Sequence, residues 1–165
     1  MYALDLANTV NSVNHVLLYG AIRLVGDDDR KGGYCCVADH EGRIHAVFLV
    51  GQLPDREKRE KYFYLCQEKA ARLAQHSDHI SSWQSRNPQD GRWGGAVKGR
   101  EFILSFSGLP ELWDEASMLV AARSFYPRLI SEEGSTEIEK LSGNPHVQKL
   151  LATVKTESSC SDPAS

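Results

Sequence analysis

The chain has no apolar run long enough to cross a bilayer. Its longest stretches, such as Ala46 to Val50, fall far short of the roughly 20 residues a spanning helix needs. A basic N-terminal segment leading into an apolar one is also missing, so no export signal is expected. There is no excess of positive charge: 19 basic against 22 acidic residues leave a net charge of -3, and counterion release cannot drive binding to a phosphate backbone. Nucleic acid and membrane are thereby set aside as partners. No Cys-x-x-Cys pair occurs; Cys35 and Cys36 are adjacent, Cys66 falls in a helical pattern and Cys160 lies near the end. Such cysteines suit small buried hydrophobes in a reducing compartment, so the expectation is a soluble, cytoplasmic protein.

What is present is enough for one domain. A chain of 165 residues with 41% hydrophobic content can bury roughly two thirds of its unfolded surface. From Ala3 to Val25, apolar residues at Leu6, Val10, Val13, Leu17, Ala21 and Leu24 lay one stripe along a helix that Gly26 ends. Tyr34 to Asp39 and Ile44 to Val50 read as strands of a hairpin turned around Gly42. Pro54, Asp55 and Glu57 then open a helix reaching about His76, with Tyr62, Cys66, Ala70 and Leu73 on its buried face and the charged residues between them in water. A polar stretch, Ser77 to Arg92, is long for a connection in a compact domain, which suits a binding loop or a loosely ordered one.

Gly94 to Val97 and Glu101 to Phe106 form a second strand pair, followed by a helix from about Pro110 to Tyr126. Its apolar face would carry Leu109, Leu112, Trp113, Ala116, Leu119 and Val120. Beyond Ser131 the composition turns polar. The expected organisation is a domain over 1–130 and a polar tail over 131–165, with a short helix from Val147 to Val154 and disorder in TESSCSDPAS. Hairpins pair antiparallel, and amphipathic helices need a sheet to cover, so the fold class is α+β.

This element order, with VADHEGRIHAVFLVG (Val37 to Gly51), Gly94-Gly95, Ser107-Gly108 and Asp114-Glu115-Ala116, resembles the GlcG/HbpS-like family of haem-degrading or haem-binding domains. The resemblance spans roughly Leu6 to Ala122. It implies a profilin-like sandwich, assembly into homo-oligomers, and in some members a bound haem or related tetrapyrrole.

Ser107-Gly108 carries the chain from an apolar strand into a helix, where unpaired amide hydrogens would favour an anion. The plainer expectation is that Ser107 caps the helix and Gly108 lets the chain turn closely against the sheet. A hydrolase elbow is not indicated, because Ser105 stands where G-x-S-x-G requires glycine. Trp83, Arg86, Arg92 and Trp93 bracket the polar loop, and flat apolar rings beside fixed cations suit an aromatic or carboxylated small molecule. These four, with Ser107 and Gly108, are the candidate ligand residues. The tryptophans would equally serve to anchor the loop or to form an interface.

A haem would need an axial donor, for which His15 and His45 are the candidates. His76 and His79 beside Asp78 offer only two imidazoles, so no metal site is assigned. Asp114 and Glu115 suit the positive end of a helix. No catalytic residue is assigned and no nucleophile-base pair emerges. The leading expectation is a small-ligand-binding protein; the alternatives are an enzyme using Arg86 or Arg92 as anchor with Asp114 or Glu115 as acid-base group, and an interaction subunit.

Overall fold

The computed structural model describes residues 3–160. It is an α+β fold in which a four-stranded antiparallel sheet packs against five helices. Helix α1 (Ala3–Val16) runs on through a π-helical turn (Leu17–Ala21) into a last α-turn (Ile22–Val25), and Gly26 ends it in the left-handed conformation at φ 64°. Strands β1 (Gly32–Asp39) and β2 (Ile44–Gly51) form the first hairpin, with Gly42 at φ 85° in its turn. Helix α2 (Arg56–Gln75) follows, its N-terminus capped by Asp55, which accepts from the Lys58 amide. Strands β3 (Ala96–Lys98) and β4 (Phe102–Ser107) lead into α3 (Glu111–Ser124).

The strand order is β2-β1-β4-β3 with antiparallel neighbours throughout. Alternation along β1 sorts its side chains between the two faces. Cys36 and Ala38 join Ala96, Ile103 and the Cys66, Ala70 and Leu73 face of α2. Cys35 and Val37 join Val50, Val97, Leu104 and Phe106 in a larger core with α1 and α3. The sheet therefore lies between α2 on one side and the remaining helices on the other. Cys35, Cys36 and Cys66 are free and buried, and burial pushes the Cys36 and Cys66 thiols up to about 12, so they pack as small hydrophobes. Among the described residues no helix is long and apolar enough to cross a membrane.

Three expectations need correction. The first concerns the segment after Ser131, expected as a tail outside a 1–130 domain. It forms α4 (Glu132–Ser142) and α5 (Val147–Cys160), and Ile138, Val147, Leu150, Leu151 and Val154 belong to the larger core. Its apolar residues are few but spaced three and four apart, which is enough to bury a stripe. Helix α5 extends through the first half of the stretch expected to be disordered, Thr156 to Cys160; Ser161 to Ser165 lie outside the described residues.

The second concerns α2, whose charged residues do not all stay in water: Lys69 and Arg72 are buried. The third concerns α3, which has no single apolar face, because everything from Asp114 to Ala122 is buried between the sheet and the other helices.

The closeness of α5 is legible at Gly20, inside the π-turn, where a Cβ would meet Leu150 Cδ1 at 2.7 Å and Val154 Cγ2 at 3.0 Å. Leu150→Ala should therefore cost about 2–5 kcal/mol of global stability. Urea denaturation measures it, and an unchanged midpoint would mean that α5 is not part of the folding unit.

Candidate functional site

The chain leaves β4 at Ser107-Gly108 and turns through Leu109 and Pro110 into α3. That corner is pressed against β1: a Cβ on Gly108 would lie 2.4 Å from the Gly32 carbonyl oxygen and 2.7 Å from Gly33 Cα. Glycine is needed here for close backbone approach. Ser107 is not the helix cap. Pro110 holds the N-cap position, three residues after Ser107 and already past the corner. Unpaired amides were expected at this junction, but that of Leu109 is taken by Asp114 Oδ1 at 2.9 Å. The helix thus folds its own carboxylate back onto the corner.

Beside this corner lies a cleft of about 330 Å³, whose wall includes Lys69, Trp93, Ser107, Gly108, Leu109 and Asp114. Arg30, Lys61, Tyr62, Leu65, Pro110 and Glu111 complete it. At its base is an ion pair. Lys69 Nζ donates to Asp114 Oδ2 at 3.1 Å and to the Phe106 carbonyl at 2.8 Å, and the two side chains are 2% and 3% exposed. An ammonium has three donors, so one N–H of Lys69 remains uncommitted among these contacts. Burial pushes the Asp114 carboxyl up to about 7, against the pull of the Lys69 charge and the Leu109 amide. Gly95, at φ 122°, passes directly over the pair; a Cβ there would stand 2.9 Å from both Lys69 Nζ and Asp114 Cβ.

Ser107 adds a second open group. Four buried side-chain polar atoms among the described residues have no hydrogen-bond partner: His79 Nδ1 and the hydroxyls of Ser105, Ser107 and Ser135. Of these four residues, Ser107 alone lines the cleft. A buried hydroxyl without a partner is destabilising, which is the signature of a group waiting for one.

The polar loop is ordered and built onto the site. Its two 3₁₀ turns are Ser82–Ser85 and Pro88–Asp90, the first held by a capping box between Ser81 and Gln84. Arg72 pins it from α2, donating to the Ser82 carbonyl at 3.0 Å, to Ser85 Oγ, and to the Trp93 carbonyl at 2.6 Å, while Glu68 pairs with the same guanidinium at 2.8 Å. Glu115 pins it from α3. Its carboxylate accepts from Ser81 Oγ at 2.6 Å, from Asn144 Nδ2 at 3.1 Å and from Ser142 Oγ, tying the loop to the end of α4 and the connection after it. Burial pushes Glu115 up, opposed by those three donors. With its oxygens committed inward and no part of the cleft wall, Glu115 is a structural clamp.

The candidate ligand residues separate. Ser107, Gly108 and Trp93 line the cleft. Arg86 lies 4.8 Å from the Trp83 ring centre and 5.9 Å from that of Trp93, and pairs with Glu111 at 2.6 Å. That hydrogen bond holds the guanidinium pKa up. Glu111 also accepts from the Gly94 amide at 2.8 Å, so Trp83 and Arg86 form a rim brace next to the cleft. Arg92 belongs instead to a separate open groove with Tyr64 and His76. His45 pairs with Asp39 at 3.2 Å and His15 packs against the rings of Tyr19 and Phe125; neither lines the cleft. The His76 and His79 rings stack face to face at 4.4 Å, with His76 Nδ1 donating to the Arg72 carbonyl. Among the described residues no group of three metal-binding side chains comes together.

The residue that sequence reasoning missed is Lys69. The signal was available in principle: it stands three residues after Cys66 and four before Leu73, on the helical face assigned to the core. No protein-family model, curated protein or solved structure matches this chain. Arg72→Lys tests the loop anchor. Lysine cannot span the separate acceptors, so hydrogen exchange at residues 81–93 should accelerate at least tenfold, with about 1–3 kcal/mol lost globally. Unchanged protection would show that Arg72 does not hold the loop.

Proposed function

We propose that this chain is a small-ligand-binding module whose ligand enters the cleft between α2, the β4–α3 corner and Trp93. The observation that carries this reading is the pairing, in one cleft, of an unpartnered buried hydroxyl on Ser107 with an incompletely used buried ammonium on Lys69. A buried donor without a partner is costly, and where it lines a cleft a ligand can satisfy it. The volume, at the lower end of the range for small-molecule sites, favours a compact ligand. The topology, two hairpins joined edge to edge through β1 and β4 into one antiparallel sheet between helices, is compatible with the profilin-like, GlcG/HbpS-like relationship that the motifs suggest. The tetrapyrrole implied by that relationship would need an axial donor, and neither His15 nor His45 faces the cleft. Glu115 is enclosed, and Asp114 and Lys69 are bonded to one another in the cleft wall with no nucleophile-base pair beside them, so binding is favoured over catalysis.

Amide-detected NMR titration with a fragment set tests the site. Shifts should concentrate at Gly95, Gly108 and Leu109, and Ser107→Ala should weaken the hits about tenfold while leaving thermal stability unchanged or raised. Shifts clustered elsewhere would overturn the reading. Haemin added to the protein separates the tetrapyrrole, since a displaced Soret band supports it and a flat titration removes it.

A specific observation also favours a homo-oligomer. Strand β2 is an edge of eight residues carrying neither lysine nor proline, and Ile44 and Leu49 on it are 49% and 44% exposed. Phe63 and Tyr64 of α2, at 47% and 64%, are exposed as well. Unprotected edges of this kind invite pairing with an identical strand. Light scattering should report a dimer for the native chain and a monomer for Leu49→Lys with Tyr64→Glu, at unchanged melting temperature. A monomeric native chain would refute the assembly.

A further inference from the structure

The cleft holds a balanced pair, and an incoming anion unbalances it. Lys69 and Asp114 are both almost completely out of water and cancel one another. Five other titratable groups face Asp114 across the cleft: Arg30 from the loop before β1, Lys61, Tyr62 and Lys69 from α2, and Glu111 from α3. Arg86 neutralises Glu111, Lys61 is exposed and Arg30 lies 3.8 Å from Asp27. Rim charges standing in water are screened and serve chiefly to attract an anion. The ligand must therefore be balanced by what is buried.

We propose that the ligand of this cleft is a small carboxylate on an apolar body, and that it binds together with one proton, which Asp114 takes up. This rests on the cleft being the binding site. The free N–H of Lys69 and the Ser107 hydroxyl are both donors that a carboxylate accepts from. Leu65, Trp93, Leu109 and Pro110 supply the apolar wall for its body. Two carboxylates sharing one buried ammonium disfavour double ionisation, so one of the three groups must change charge.

Asp114 is the group placed to do so. Its Oδ1 keeps the Leu109 amide, and Oδ2, relieved of Lys69, takes up a proton from the buffered solvent and becomes a donor toward the ligand. Lys69 keeps its bond to the Phe106 carbonyl and turns its other donors to the ligand. Before binding, two buried charges sum to zero; afterwards ammonium, ligand carboxylate and neutral Asp114 again sum to zero. Asp114 sits where burial already raises its proton affinity to about neutral, so the uptake falls within an accessible range. The sign follows: binding takes up protons, so affinity is flat below about pH 7 and falls above it.

Benzoate, ionised throughout, is the probe, and its neutral partner is benzamide. Calorimetry of the native chain from pH 6 to 9, in buffers of different ionisation enthalpy, should show proton uptake per benzoate rising from near zero at pH 6 to close to one at pH 8 to 9. Affinity should fall about tenfold per pH unit on the alkaline side. Asp114→Asn should bind benzoate without that slope; should this variant fail to fold, the proton count on the native chain decides alone. Benzoate bound in the cleft with pH-independent affinity overturns the proton coupling and leaves the site standing. Benzamide binding as tightly as benzoate overturns the carboxylate. If neither shifts the amides of Gly95, Gly108 and Leu109, the site itself falls.

Discussion

The buried pair between Lys69 and Asp114 is the constraint around which the active-looking corner of this molecule is arranged. Removing two charges from water is expensive, and mutual attraction returns that cost only when the remaining donors and acceptors are satisfied. Here the Phe106 carbonyl and the Leu109 amide do most of that work. Because Lys69 comes from α2, Phe106 from β4 and Asp114 from α3, the pair joins both layers of helix across the end of the sheet. Such a pair is poor evidence for stability, since apolar side chains of similar size would hold the layers as well. Its placement in a cleft wall, with a donor to spare, is what argues for recognition.

Around the pair, the polar residues that gave the sequence its surface-like character are used internally. Arg72, Glu115 and Glu111 each reach into the loop between α2 and β3, and each meets several partners rather than one. A loop tied at three points by charged side chains is a rigid wall, which suits a site that must hold a ligand in a fixed orientation. The glycines complete the same design from the opposite direction. Gly95 and Gly108 occupy points where any side chain would strike the ion pair or the backbone of β1.

Much of the fold was legible from periodicity. The stripe from Leu6 to Leu24, the two hairpins and the helix after Pro54 follow from local spacing and turn residues, and all are present. The C-terminal helices were harder to place, because Ile138, Leu150 and Val154 are too sparse among polar neighbours to announce a core contact; their burial comes from the core they join, with Gly20 making room for Leu150 and Val154. At the site, Ser107, Gly108 and Trp93 were legible from the strand-to-helix junction and the aromatic bracket. Arg92 was not separable from them, since adjacency in sequence says nothing about which side of a loop a side chain occupies. Ser107 was misread as a cap because the Leu109 amide could be satisfied from either direction, and the sequence contains no record that Asp114 does it.

By itself, then, the sequence determined the elements as far as α3, their order and the antiparallel pairing within each hairpin, because those depend on the 3.6 and 2.0 residue periods and on where glycine and proline interrupt them. Tertiary structure alone decided the chemistry. Lys69 and Asp114 are 45 residues apart, and whether a lysine on an amphipathic helix points to water or into a cleft depends on what packs over it. A charge has no local signature of burial; its environment is made by distant parts of the chain, and so are its partner and its proton.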